Sequence, residues 1–233
     1  MSISWQIATV EGVGELTKPS LAFSPSGQPA IAFYSSWKHA LRFATLNNVG
    51  TWTIGDIDQV SDDCFPSLAF RFGRPAVSYG VLSAKELRYA HFRGWNVPWS
   101  IEYVAPGGST SSLAFDSAQR AGISYYEQDS KTLRYAENPA PSTWISQPVD
   151  ENPDCGFFNS LAFTPTQWPY TPPDRPGIAY HNKTHDLVKY AFFDGTTWFR
   201  SGVHQGSGDC SLAFDMFGQP HVAFNFRYCF RWF

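Results

Sequence analysis

The sequence predicts an all-β fold, a five-bladed β-propeller of four-stranded antiparallel blades. Three observations carry this. The tetrapeptide Ser-Leu-Ala-Phe begins at Ser20, Ser67, Ser112, Ser160 and Ser211, at intervals of 47, 45, 48 and 51 residues. A repeat of 40 to 50 residues with strands in every unit is a mark of propeller blades. Each unit also carries a basic residue in an apolar frame, followed in the first four units by a tryptophan. Finally, the strands are apolar on both faces, as expected of blades packed between two neighbours rather than of a half-exposed sheet.

The elements of a unit follow in order. The first strand is SLAF, whose small Ala22, Ala69, Ala114, Ala162 and Ala213 allow close approach around a narrow axis. A turn with Gly or Pro follows, such as SPSGQP, RFGRP or DMFGQP. The second strand reads AIAFY, AVSYG, GISYY, GIAYH or HVAFN. The third centres on Arg42, Arg88, Arg134, Lys189 or Arg231, and the fourth on Trp52, Trp99, Trp144 or Trp198. The fifth tryptophan strand is expected at the other end of the chain, where Ser4-Trp5-Gln6-Ile7 repeats the pattern of Thr51-Trp52-Thr53-Ile54. The blades are then 20–60, 67–105, 112–150, 160–204 and 211–233 plus 1–10, in one domain over 1–233. Closing the last blade with the first strand leaves only short protected edges.

The unit resembles repeats of bacterial and fungal propeller proteins, and its architecture is similar to lectin propellers of the tachylectin-2 kind. That resemblance spans the chain and concerns architecture rather than chemistry, since no sugar-binding motif of that family is matched residue by residue. The Gly-His and Trp-Asp dipeptides of WD40 arrays are absent, as are the Asp-boxes of sialidases.

Composition excludes some partners. The formal charge is −3, and no Lys/Arg cluster stands out, so nucleic acid is not expected. No apolar run approaches the ~20 residues of a membrane span. The start MSISWQIATVEG lacks the basic and apolar segments of a secretory signal, so the protein is expected in the cytoplasm or released by a non-classical route. Cys64, Cys155, Cys210 and Cys229 match no zinc spacing and are expected as free, mostly buried thiols. No cofactor and no metal is expected. An Asp-Cys cluster helped by His181, His185 and Asp186 is the weaker, metal-binding reading.

Function is expected on one face of the ring, where the loops into the first strands meet the loops leaving the second strands. There the repeat breaks down, and variable loops on a rigid frame are where binding tends to sit. Together with the inner strands these loops would form a central pocket. Tyr34, Trp37, Phe65, Tyr126 and Phe158 offer flat apolar faces for a sugar. Asn159, His181, Asn182 and Asn225 offer hydrogen bonds beside them. The periodic tryptophans are expected to pack, and the one basic residue per blade to pack its stem with its head in solvent or paired with a nearby acid, rather than to bind an anion.

The leading expectation is therefore a ligand-binding module for a glycan or small molecule. The alternative is an enzyme in the central pocket. It would be a glycoside hydrolase using Asp63, Glu127, Asp154 and Asp209, or a cyclase-type enzyme of secondary metabolism. A protein-interaction scaffold is the third reading, since fold alone does not decide function.

Overall fold

The computed structural model describes residues 7–10, 16–166 and 173–225. Blade 1 comprises β1 (Leu16–Phe23), β2 (Pro29–Ser35), β3 (Ala40–Leu46) and β4 (Trp52–Gln59). Blade 2 comprises β5 (Ser67–Arg71), β6 (Arg74–Val81), β7 (Glu86–His91) and β8 (Ser100–Pro106). Blade 3 is β9 (Gly108–Phe115), β10 (Ala121–Glu127), β11 (Thr132–Ala140) and β12 (Thr143–Asp150). Blade 4 is β13 (Cys155–Phe163), β14 (Pro176–Asn182), β15 (Leu187–Phe193) and β16 (Trp198–Gln205). Each is a four-stranded antiparallel sheet in sequence order, and β17 (Cys210–Phe214) with β18 (Pro220–Phe224) begins a fifth. The third strand of that fifth blade and the closing strand around Trp5 lie outside the described residues. No helix among the described residues is long and apolar enough to cross a membrane.

The SLAF strands are the innermost of each blade, and their serines have a mechanical purpose. The innermost strand has a free edge toward the axis, whose N–H groups need partners. The Leu68 amide donates to Ser20 Oγ, Leu113 to Ser67, Leu161 to Ser112 and Leu212 to Ser160, all between 2.9 and 3.0 Å. In blades 2 to 5 the leucine amide is thus held by the serine of the blade before it. Among the described residues no such bond joins Leu21 to Ser211.

The core lies between blades. One cluster joins Phe43, Val77, Tyr79 and Trp99 across blades 1 and 2. A second joins Leu87, Tyr89, Ile123 and Tyr125 across blades 2 and 3, and a third Leu133, Tyr135, Ile178 and Tyr180 across blades 3 and 4. The tryptophans pack here as their periodicity predicts. Trp99 meets Phe43 edge-on at 5.4 Å, Trp144 tilts on Tyr89 at 5.2 Å and Trp198 meets Tyr135 at 5.5 Å. In every case the fourth-strand tryptophan rests on the third-strand aromatic of the preceding blade.

Four bulges recur where the third strand pairs with the fourth, after Leu41, Leu87, Leu133 and Val188. A bulge adds one residue to one strand and increases local twist. Here the extra residue falls in the fourth strand, and Ile57, Val104 and Val149 are buried at that point.

Three of the third-strand basic residues are paired with acids, while Arg134 donates to the Ser146 hydroxyl at 3.3 Å. Arg42 Nε sits 2.7 Å from Asp56 Oδ1 within blade 1. Arg88 Nη1 reaches Asp58 of the preceding blade at 2.8 Å, joined there by the Tyr79 hydroxyl at 2.8 Å. Lys189 and the Tyr180 hydroxyl converge on Asp150 in the same way, across blades 3 and 4. Cys64, Cys155 and Cys210 are free thiols, and Cys229 lies outside the described residues. Burial pushes Cys64 up to about 12 and Cys155 and Cys210 up to about 11, so all three stay protonated and unreactive at neutral pH.

Candidate functional site

On the expected face a cavity of about 920 Å³ opens between blades 4 and 5. Its wall is built by the start of β13, the β14–β15 turn, the segment after β16 and the residue that follows β18. Phe157 and Phe158 form the apolar side, with His181, Lys183, Asp186 and Asn225 around them. The ring of Phe158 is exposed because its backbone takes φ 48°, which turns the side chain out of the strand's alternation. The ladder between β13 and β14 slips at this same place, between Phe157 and Ser160.

His181 is the polar centre of this wall. It is only 4% exposed, and its Nε2 has no hydrogen-bond partner. Asp186 Oδ1 lies 3.6 Å away, too far for a bond. Burial lowers the His181 pKa more than Asp186 raises it, so the ring is neutral at physiological pH. Lys183 reaches over the Phe157 ring at 5.5 Å. A buried polar atom without a partner costs free energy until a ligand atom or water supplies one. The site therefore offers an aromatic face, a neutral imidazole, a carboxylate, an ammonium and an amide around one hollow.

The other residues proposed from the sequence are placed elsewhere. Tyr34 is buried in the core between blades 1 and 2, its hydroxyl donating to the Ser61 carbonyl at 3.3 Å. Trp37 is exposed in the β2–β3 turn with Lys38 4.2 Å above its ring. Phe65 lies under the Lys18 ammonium at 3.6 Å. Tyr126 is buried against Phe157, with ring centroids 4.0 Å apart, and so supports the cavity from behind. Asn159 accepts from the Ser124 hydroxyl at 2.6 Å and donates to the Thr110 and Gly156 carbonyls. Asn182 donates to Cys155 Sγ and accepts from the His185 amide, which fixes the β14–β15 turn.

The carboxylates of the enzyme reading are spread over the blades. Asp63 pairs with Lys18 at 3.0 Å. Glu127 caps its own turn: burial raises its pKa, but the Ser130 hydroxyl and the amides of Ser130 and Asp129 more than reverse that. Asp154 accepts from the Thr184 hydroxyl at 3.2 Å. Asp209 is exposed in the loop before β17. Among the described residues, no three His, Cys, Asp or Glu side chains converge as metal ligands.

Of the residues singled out from the sequence, Phe158, His181 and Asn225 lie on this wall; Gln205 was missed, and Ser207 stood in an expected entry loop without being singled out. Those two lie at the end of β16 and in the loop that carries the chain into β17, one of the first-strand entries of the expected face. The signal was available, since the Gly206-Ser207-Gly208 run interrupts the strand pattern just before Asp209.

The blades, their order and their inter-blade packing define a β-propeller. No family model matches the chain, and no curated protein matches it. Among solved structures it is similar to a Hadza microbial sialidase, at 13% identity and a TM-score of 0.61, covering 84% of this chain and 47% of that one. The chain thus spans about half the length of that sialidase. It is also similar to the Aleuria aurantia lectin complexed with α-methyl-L-fucoside, at 12% identity and a TM-score of 0.60, covering 88% and 69%. A GH43_1 enzyme from Xanthomonas citri aligns at 11% identity and a TM-score of 0.52, covering 92% and 83%. At such identities the likeness establishes the fold.

Proposed function

We propose that this propeller is a lectin-like carbohydrate-binding module and that its principal site is the cavity between blades 4 and 5. The observation that carries this reading is the pairing of the exposed Phe158 ring with the unpartnered His181 Nε2 and the Asp186 carboxylate. A sugar has an apolar face that stacks on an aromatic ring and hydroxyls that both donate and accept. A hydroxyl set beside the pair, within reach of both His181 Nε2 and Asp186 Oδ1, donates its one proton to the carboxylate and accepts from the imidazole N–H. The lectin and sugar-processing enzymes among the structural neighbours agree with this substrate class. The loops differ from blade to blade, so one dominant site is expected rather than five equal ones.

A glycan array followed by calorimetric titration of the best ligand tests this. Phe158→Ala and His181→Ala should each weaken binding by about tenfold, as losing a stacking face or a buried hydrogen bond does. Absence of binding to any sugar at millimolar affinity would remove the proposal.

A further inference from the structure

The residue after each SLAF has a task in four blades. Ser24 Oγ accepts the Gln28 amide at 3.1 Å, Asp116 Oδ1 the Arg120 amide at 2.7 Å, Thr164 Oγ1 the Arg175 amide at 2.9 Å and Asp215 Oδ1 the Gln219 amide at 2.8 Å. Each thereby closes the turn between the first and second strands. Blade 2 has Arg71 at this position, which cannot accept a hydrogen bond. Its turn is instead shortened to Phe72-Gly73, both at positive φ, with Arg71 and Arg74 paired across it. The Phe72 amide is tied to Gln119 Oε1 of blade 3 at 3.0 Å, so the hairpin tip is anchored.

This departure opens a cavity of about 420 Å³ on the face opposite the glycan site, between the hairpin and the end of β7. Arg71, Arg74, His91 and the Phe72 and Phe92 rings line it. Two buried polar atoms of this lining have no hydrogen-bond partner: Arg71 Nε and His91 Nδ1. Tyr89 is 2% exposed, with its hydroxyl beside the Arg71 guanidinium. Burial raises its pKa to about 12, so it remains a donor. Around His91 stand the cations Arg71, Arg74 and Arg93 and one acid, Glu102. Glu102 Oε1 is 3.7 Å from His91, while Oε2 is taken by Trp144 Nε1 at 2.8 Å. No described carboxylate forms an ion pair with Arg71, Arg74 or Arg93. In blade 3 the matching arginine, Arg120, is neutralised by Asp116 at 2.6 Å.

We propose that blade 2 carries an oxyanion-binding site in which Arg71 and Arg74 grip a carboxylate or sulfate group, with His91 beneath it and the exposed Phe72 ring flanking the body of the ligand. Guanidinium groups match both oxyanions through paired N–H donors, and such charge-assisted bonds are the strong ones. This site is independent of the glycan reading, because it shares no residue with that cavity.

The test is a titration of the intact protein followed by ¹⁵N and imidazole NMR, at ionic strength held constant with chloride. The probes are inorganic sulfate, glucuronate and, as the uncharged control, glucose. Sulfate or glucuronate should shift the Phe72 amide and the His91 ring with saturation in the millimolar range, and glucose should leave both in place. Tighter binding of glucuronate assigns the site to a carboxylated sugar, and tighter binding of sulfate to a tetrahedral anion. Arg71→Gln should weaken the response about tenfold. Arg74→Gln, on the exposed hairpin, repeats the test should Arg71→Gln fail to fold. Unshifted Phe72 and His91 signals with both anions, or an Arg74→Gln titration equal to wild type, would overturn the proposal.

Discussion

Asp150 shows how single side chains bind the blades together. It is fully buried and accepts from the Tyr180 hydroxyl, the Lys189 ammonium and the Asn152 amide at once. Burial alone would raise its pKa, but these donors outweigh it and hold the carboxyl at about 2. The depressed value means that its stabilisation is complete above the unfolded pKa of about 3.9 and is lost as pH falls toward 2. That contribution is about 2 kcal/mol, read as a stability decline across this window in urea titrations. Asp150→Asn leaves the partly buried Lys189 without a counter-charge and should cost about 3 kcal/mol at pH 7, while flattening the acid limb of the profile. A variant with an unchanged urea midpoint would show that the triad holds nothing. At this scale the sequence was only partly legible. It left Lys189 either in solvent or paired with a nearby acid and did not point to Asp150, because the partner sits 39 residues away on another blade. Tyr34, Asn159 and Asn182 read as ligand-binding groups for the same reason. A polar side chain near a loop looks the same in sequence whether its bonds go to a sugar or, as with Asn159, to three neighbouring backbone and hydroxyl groups.

At the scale of the strand, the repeat was almost fully legible because each unit solves the same packing problem. Leu and Phe of SLAF point to the blade interfaces, and the alternation fixes register, since a one-residue slip would invert every side chain. The purpose of the serine was not legible. Its partner amide lies in the next blade, 46 to 52 residues on. Ser67→Ala, Ser112→Ala and Ser160→Ala each leave a strand-edge amide without its acceptor and should cost about 1 kcal/mol, measured by equilibrium unfolding. Hydrogen exchange at the Leu113, Leu161 and Leu212 amides should quicken in the matching variant and in that variant alone. If Ser112→Ala leaves exchange at Leu161 unchanged, the latch does not govern the interface. Blade 2 shows the converse case, where one element departs from the rule at Arg71 and the departure itself marks a place to look for binding.

For the molecule as a whole the open question is how the last blade meets the first. Leu21 and Phe23 are 59% and 62% exposed, whereas their counterparts Leu68 and Phe70 pack against neighbouring blades. Two rules derived inside the ring say what would cover them. The first is the serine latch, which on closure would direct the Leu21 amide to Ser211 Oγ. The second is the tryptophan rule: Trp99, Trp144 and Trp198 rest on Phe43, Tyr89 and Tyr135, so Tyr190 in blade 4 needs a tryptophan from the fifth blade. The sequence supplies one at Trp5, outside the described residues, in a segment that repeats the pattern around Trp52. If the ring closes this way, Trp5→Ala should cost as much as Trp198→Ala, about 3 kcal/mol, and Ser211→Ala about 1 kcal/mol. Both losses should appear in one cooperative transition, because a closed ring has no free terminal blade to unfold first, whereas an open array of repeats can fray from its ends. A Trp5→Ala protein as stable as wild type, together with fast exchange at Leu21, would mean that the faces of β1 and β17 are covered by something other than each other.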